Sequence, residues 1–486
     1  MTLLERFVNG VAWRAAGQLG RQLAVILIGI VLARLLGPKE FGLVTMATVV
    51  VGFVSLFDDF GVATALIRVK ETNDVQRSSV LWFGLVLGST LGLLTASAGF
   101  PIAHFYREPA LVKMTAALAL RFPLSALSIV PSAELQRNLE FRTLARIDFV
   151  SVVLGGMCGL VFALLGAGAW ALVAQDLFGT ALGVVQFWLA VRWRPTFVFR
   201  RESLRGLLGF GLYVMAVEVN GYITRNLDNV LIGRFYGKSD LALYNRGYSF
   251  IYLPLYLART VSTVLFPTLS SLSHDVVRVK RAFLRVAGVV AFVTWPAVVG
   301  LVVTADPFVR TAFGPQWVGM IPLLQILAPV ALWQSIGTLH GLLFQARGRA
   351  DLQFRINLLS NVFGGVGICA GLHWGPRGVA LGYLLGSAAT ATMNLTYALR
   401  QVDGSLKDLL HVVWKTAACC LAMALVVTAL LAMLPLQWPS PARLGCAVVV
   451  GAVAYAVVVV LLRPEAWNDV RVAMKTMSRG PVATDS

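Results

Sequence analysis

The stretch EVNGYITRNLDNVLIGRFYG, residues 218 to 237, sets Glu218, Arg225, Asp228 and Arg234 inside an otherwise apolar segment. At about 100° per residue on a helix, Glu218, Tyr222, Arg225 and Asn229 fall within roughly 40° of one line, with Gly221 and Asp228 on a flank. Val219, Ile223, Leu227, Val230 and Leu231 occupy the remainder. A guanidinium suits bidentate contact with phosphate or carboxylate oxygens. A carboxyl removed from water holds its proton more tightly, which makes Glu218 and Asp228 candidates for coupling to a proton or cation. The purely structural alternative pairs Arg225 with Asp228 at i, i+3 and leaves Glu218 unexplained.

Charges interrupt other apolar runs as well. Arg14, Gln18 and Arg21 share one helical face near the N-terminus, and Arg21 lies roughly 15 Å into its run at 1.5 Å per residue. Arg121 is followed by Ser125, Ser128 and Ser132 at i+4, i+7 and i+11, a polar stripe. Arg259 shares a face with Tyr252, Tyr256, Ser262 and Thr263, a combination of aromatics and hydroxyls suited to sugars, whereas Arg246 lies well around the same helix. Arg21, Arg121, Arg225 and Arg259, with Tyr252 and Tyr256, are therefore the expected cavity residues. Each has a structural alternative: snorkelling, contact with backbone carbonyls, or serines used for close helix packing. Asp58, Asp59, Asp148 and Asp176 fall near helix ends and are expected at the interface.

The elements that must carry these groups are membrane spans. Of 486 residues 58% are hydrophobic and 13% charged, with a mean hydropathy of +0.77, far from the composition of soluble domains. Several runs exceed the ~20 residues that cross a hydrocarbon core. Windows of hydropathy give about fourteen helices, beginning near residues 12, 41, 80, 110, 147, 170, 207, 241, 282, 320, 353, 377, 410 and 441. A net charge of +18 raises the question of nucleic acid. Its distribution answers it: the Lys and Arg outside the spans concentrate in the N-terminus, alternate breaks such as RWRPTFVFRRESLR and RVKRAFLR, and the C-terminal tail. That pattern puts both termini in the cytoplasm, and no nucleic-acid partner is expected.

The N-terminus lacks a signal-peptide pattern, so the first helix is expected to be retained. The five cysteines stand in apolar segments without a C-x-x-C pair, and no metal site or cofactor is expected. GRFYGKS, residues 233 to 239, is one residue short of a P-loop. No loop is long enough for a folded domain; the longest outer one, from Ala305 to Gly319, would form a short interfacial piece anchored by Phe308 and Trp317.

LARLLGPKEFGL (32 to 43) and IGRFYGKSDLAL (232 to 243) align without a gap, matching Arg34 with Arg234, Gly37 with Gly237, Glu40 with Asp240 and Leu43 with Leu243. Each joins the first two helices of a half. Internal repeats of this kind mark transporters with a site near the midplane. The expected organisation is all-α and polytopic: an N-terminal lobe of six helices (1–195), a basic cytoplasmic linker (196–206), a C-terminal lobe of six (207–400), two further helices (401–463) and a cytoplasmic tail (464–486).

VLARLLGPKEFGLV, DFGVATALIR, LQRNLEFRTLARIDF, NLDNVLIGRFYG and LALYNRGY resemble the polysaccharide-transport family, the O-antigen and exopolysaccharide repeat-unit flippases of the multidrug/oligosaccharidyl-lipid/polysaccharide exporter superfamily. The likeness runs from about residue 10 to 400. It implies two six-helix lobes around a central cavity, alternating access, and a cargo of undecaprenyl-diphosphate-linked oligosaccharide moved across a bacterial inner membrane. It also implies a cationic cavity for the diphosphate, in keeping with the arginines above, with polysaccharide polymerase and export machinery as further partners. Two other functions compete. A cation-coupled multidrug antiporter predicts an acid-dominated cavity; a membrane-embedded glycosyltransferase or polymerase predicts catalytic acids on a sizeable loop. The deep arginines and short loops favour the flippase, which is not an enzyme.

Overall fold

The computed structural model describes residues 3–58, 60–68, 73–200, 202–251, 255, 258, 275–337, 339–346, 349–435 and 437–478, and of 3–16, 64, 65, 68, 202–217, 342, 345, 346, 350 and 472–478 the backbone alone. Every regular element among them is helical. In hydrocarbon no water satisfies backbone N–H and C=O groups, so a chain this apolar folds into helices that pair them internally.

The chain divides into two compact units, Met1–Ala242 and Leu243–Ser486. This division falls later in the sequence than the expected linker at 196–206, and residues 218–242 count with the first unit. That unit holds α1 (Leu3–Leu35), α2 (Pro38–Val54), α3 (Val62–Arg68), α4 (Asp74–Tyr106), α5 (Ala110–Ala119), α6 (Arg121–Ala126), α7 (Ile129–Arg137), α8 (Phe141–Leu164), α9 (Trp170–Ala190) and most of α10 (Glu202–Ser249). The expected fourth span is broken: α5 to α6 and α7 form a pair bent by 45°. Close packing rests on small residues, as membrane helices require. A side chain at Gly88 of α4 would press on the Phe122 carbonyl of α6, and Gly155 of α8 lies against Gly179 of α9.

The second unit contains α11 (Val276–Val303), α12 (Ala305–Ala312), α13 (Met320–Leu327), α14 (Val330–Gly337), α15 (His340–Ala346), α16 (Ala350–Gly371), α17 (Gly375–Arg400), α18 (Leu406–Met433), α19 (Ser440–Leu462) and α20 (Glu465–Ser478). A core cluster among its described residues joins Phe283, Val290 and Ala291 of α11 with Ile336, Phe344, Leu399 and Val413. α18 starts with a capping box between Ser405 and Asp408, and Lys280 reaches Asp408 at 2.8 Å.

Among the described residues ten helices are long and apolar enough to cross a membrane, eleven with the bent pair. One of the ten, Asp351–Arg400, contains both α16 and α17, and α10 carries the region of the expected seventh and eighth spans, so the count is consistent with fourteen. Leu94, Leu165, Val453 and Leu461 are among many exposed large apolar side chains. Such surface suits lipid and would be a liability in water.

Two expectations about segments outside the spans change. Trp317 does not anchor at the interface: Gly314, at φ 92, turns the chain, and the indole is fully buried against Phe313 at 5.7 Å between ring centroids. Phe308 stacks edge-on against Phe250 at 5.2 Å. The tail expected from 464 begins as α20, whose Ala466 is buried and whose Trp467 approaches Phe292 of α11.

Candidate functional site

α10 is two helices joined at Gly237, whose φ of 85 and ψ of −177 only glycine adopts without strain. Its repeat partner Gly37 also stands at a break, between α1 and α2, but with φ −77 and ψ 172. The two copies meet. Gly42 of α2 lies directly on the Lys238 carbonyl, leaving no room for a Cβ. Lys238 Nζ binds Glu108 at 2.9 Å, and the Arg234 guanidinium lies over the Phe105 ring, 5.4 Å from its centroid. Asp240, in the turn after Gly237, has its carboxyl pKa raised by burial. Arg234 and Lys238 thus tie the end of this helix to α4 and α5.

Lower on the same helix, the line of polar residues divides by environment. Tyr222 donates its hydroxyl to the Val49 carbonyl of α2 at 2.7 Å, where Gly52 makes room for it, and its ring tilts against Phe53 at 6.1 Å. Asp228 is 3% exposed and Asn229 7%. Asp228 Oδ1 accepts the Asn229 N–H at 2.8 Å, and Asn229 Nδ2 donates to Asn226 at 3.4 Å. Glu218 and Arg225 instead stand open, 58% and 51% exposed, and form an ion pair at 3.7 Å. Arg225 therefore reaches back two turns to Glu218, not forward to Asp228. The guanidinium lies over Gly221, 3.4 Å from where a Cβ would be, an ordinary van der Waals distance. The stretch offers one exposed charge pair on a helix that Tyr222 holds to α2.

Arg121, at the start of α6, pairs with Asp176 of α9 at 3.5 Å. Asp176, expected at the interface, is the counter-charge of Arg121, with one carboxylate oxygen lacking a hydrogen bond. The serine stripe is real but inward-turned: Ser125 donates to Asp58 at 3.3 Å, Ser128 to the Ser125 carbonyl at 2.7 Å, and Ser132 to the Ile129 carbonyl at 3.1 Å. Beside it lies a hollow of about 290 Å³, lined by Gln18 of α1, Ser128, Ser132 and Gln136 around α7, and Asp148 of α8, with Phe187 of α9 against it. A second hollow of about 670 Å³ flanks the other side of the contact between α1 and α8, where Arg142, Arg146 and Phe149 line it. Arg21 is half-buried, lines neither hollow, and has no ion pair among the described residues.

In the second unit Tyr248 and Tyr383 share a hydroxyl hydrogen bond at 2.9 Å, and Gln334 donates to the Tyr383 hydroxyl at 3.0 Å. Trp333 donates to Ser387 at 3.2 Å. Arg259, Tyr252 and Tyr256 lie outside the described residues, so the expected aromatic and hydroxyl face around them is not placed. Sequence reasoning missed Gln136, Gln334 and Tyr383 as members of polar groupings. Neutral side chains give no charge signal, and their convergence depends on which helices pack together. Among the described residues no three His, Cys, Asp or Glu side chains converge on a metal-sized site.

Residues 31–322 match the polysaccharide biosynthesis protein family. The chain is 28% identical over 415 residues to the lipopolysaccharide biosynthesis protein WzxC of Escherichia coli, covering 83% of each chain. It is 30% identical over 299 residues to the succinoglycan biosynthesis transport protein ExoT of Rhizobium meliloti, covering 61% of this chain and 60% of that one. Its fold is similar to a lipid II flippase, MurJ, in an inward closed conformation, with a TM-score of 0.75, 15% identity, and 93% and 98% of the two chains covered. The many apolar helices, the flippase-like fold and the match across more than half its length lead to one conclusion: this multi-pass membrane protein belongs to the polysaccharide biosynthesis protein family.

Proposed function

We propose that the chain is a flippase that carries undecaprenyl-diphosphate-linked oligosaccharide repeat units from the cytoplasmic to the outer leaflet of a bacterial inner membrane, for surface or exopolysaccharide synthesis. The observation that carries this reading is the family match combined with a relative named as a transport protein of succinoglycan biosynthesis. The basic breaks support a cytoplasmic location for both termini. The chemistry of the exposed charges is compatible with an anionic headgroup. Arg225 is the principal contact to the diphosphate, and Glu218 holds its guanidinium along the helix over Gly221 when no cargo is bound. By residue type, Arg21, Arg121 and Arg259 are the further candidates for contact with the diphosphate, and Tyr252 and Tyr256 for contact with the sugars. Because Arg121 already faces Asp176, its part is the weaker electrostatic one.

Transport proceeds by exposing this polar surface alternately to the two sides while the polyprenyl tail stays in lipid. No bond is made or broken in the cargo, so the chain acts as a transporter rather than an enzyme, handing repeat units to a polymerase and export machinery. Coupling to a proton or cation gradient runs through Glu218, with Asp228 as the alternative. Deletion of the gene in its host tests the reading. Lipid-linked repeat units should accumulate facing the cytoplasm while surface polysaccharide is lost. Short unpolymerised chains already outside the cell would overturn it, as would purified protein that joins lipid-linked sugars unaided.

A further inference from the structure

The hollow of about 290 Å³ beside α7 differs in kind from the exposed pair on α10. Among the described residues neither arginine nor lysine lines it. Apart from Asp148 its described lining is neutral and two-sided. Ser128 and Ser132 spend their hydroxyl protons on the Ser125 and Ile129 carbonyls, so their oxygens remain acceptors. The amides of Gln18 and Gln136 have no hydrogen-bond partner among the described residues, and each offers both a donor and an acceptor. Asp148 adds a carboxylate, and Phe141 and Phe187 add apolar ring surface. Amides and hydroxyl oxygens that converge beside aromatic rings match a ligand that alternates O–H groups with C–H faces. The volume lies near the lower end of the ~300–1,000 Å³ range of small-ligand sites.

We propose that this hollow in the first unit binds a sugar ring of the headgroup, with Gln18 and Gln136 hydrogen-bonding its hydroxyls and Phe187 or Phe141 against its C–H face. The assignment rests on a lipid-linked oligosaccharide being the cargo. It adds a sugar-reading site separate from the charges that meet the diphosphate, so sugar and phosphate are recognised by different residues.

The test uses the full-length chain in nanodiscs and four probes: undecaprenyl diphosphate, and the same lipid bearing glucose, galactose or N-acetylglucosamine. The wild-type chain should bind at least one sugar-bearing lipid about tenfold more tightly than the bare lipid, the effect of one or two neutral hydrogen bonds. The double variant Gln18→Leu, Gln136→Leu should lose that preference and keep its affinity for the bare lipid. Equal affinity of the wild type for all four probes overturns the proposal without any variant, and so does a preference that survives the double substitution. Binding of radioactive sodium that is lost in the double variant, with no sugar preference, assigns the hollow to a cation instead and also overturns it. A wild-type chain that binds none of the four lipids sinks the cargo reading itself, and the hollow's assignment with it.

Discussion

The pair formed by Glu218 and Arg225 is the place where a cargo contact and a merely structural role can be separated. At 3.7 Å the attraction of two unit charges is about 1 kcal/mol in a water-like medium and about 4.5 kcal/mol at an effective dielectric near 20. Both side chains are more than half exposed, so screening draws the value down, and we expect a coupling of about 0.2–1 kcal/mol. Four variants suffice: Glu218→Gln, Arg225→Gln, the double neutral variant, and the reversed pair Glu218→Arg with Arg225→Glu. Thermal midpoints in detergent give the coupling as a double-mutant cycle, and transport of lipid-linked oligosaccharide in proteoliposomes gives the function. If Arg225 meets the diphosphate, the reversed pair regains the lost stability, while transport stays at least tenfold below wild type because the guanidinium stands two turns away. Glu218→Gln alone should flatten the pH dependence of transport if this carboxylate couples a proton; an unchanged profile removes it from that role. Wild-type transport by the reversed pair would refute the reasoning, since Arg225 would then matter only through Glu218.

Three further predictions concern the frame around that pair. Gly237→Ala should destabilise the chain by about 1–3 kcal/mol, whereas Gly37→Ala is free of that backbone strain and should lose less: no atom crowds Gly237, and only its backbone conformation excludes other residues. Paired thermal melts decide this, and equal losses at the two positions would contradict it. Gly42→Ala should lose about 1–3 kcal/mol for a different reason, because its methyl overlaps the Lys238 backbone and neither side is a flexible side chain; a midpoint matching wild type would show that α2 shifts freely. Arg121→Gln should cost about 1–2 kcal/mol by stranding the part-buried Asp176, and adding Asp176→Asn should recover much of it in the same melts.

The sequence by itself determined what hydropathy and charge count encode: the bilayer as solvent, the helical class, the break at each repeat glycine, and the helix on which Glu218 and Arg225 share a face. These follow from local rules, since the cost of unpaired backbone in lipid and the 3.6-residue period act along the chain alone. Partner choice was not legible. Spacing offered Arg225 with Asp228 as the structural alternative, but a long arginine lying over Gly221 reaches Glu218, and Asp228 is buried among its neighbours. Nothing along the chain showed that the approach of α6 to α9 brings Asp176 to Arg121. Trp317 looked like an anchor until the turn at Gly314 sent it into the core. The neutral hollow of Gln18, Ser132 and Gln136 left no trace in the sequence, because amides and hydroxyls from different helices become a site only when packing brings them together. Tertiary structure decided which charges neutralise one another within the protein and which, like the pair on α10, stay exposed.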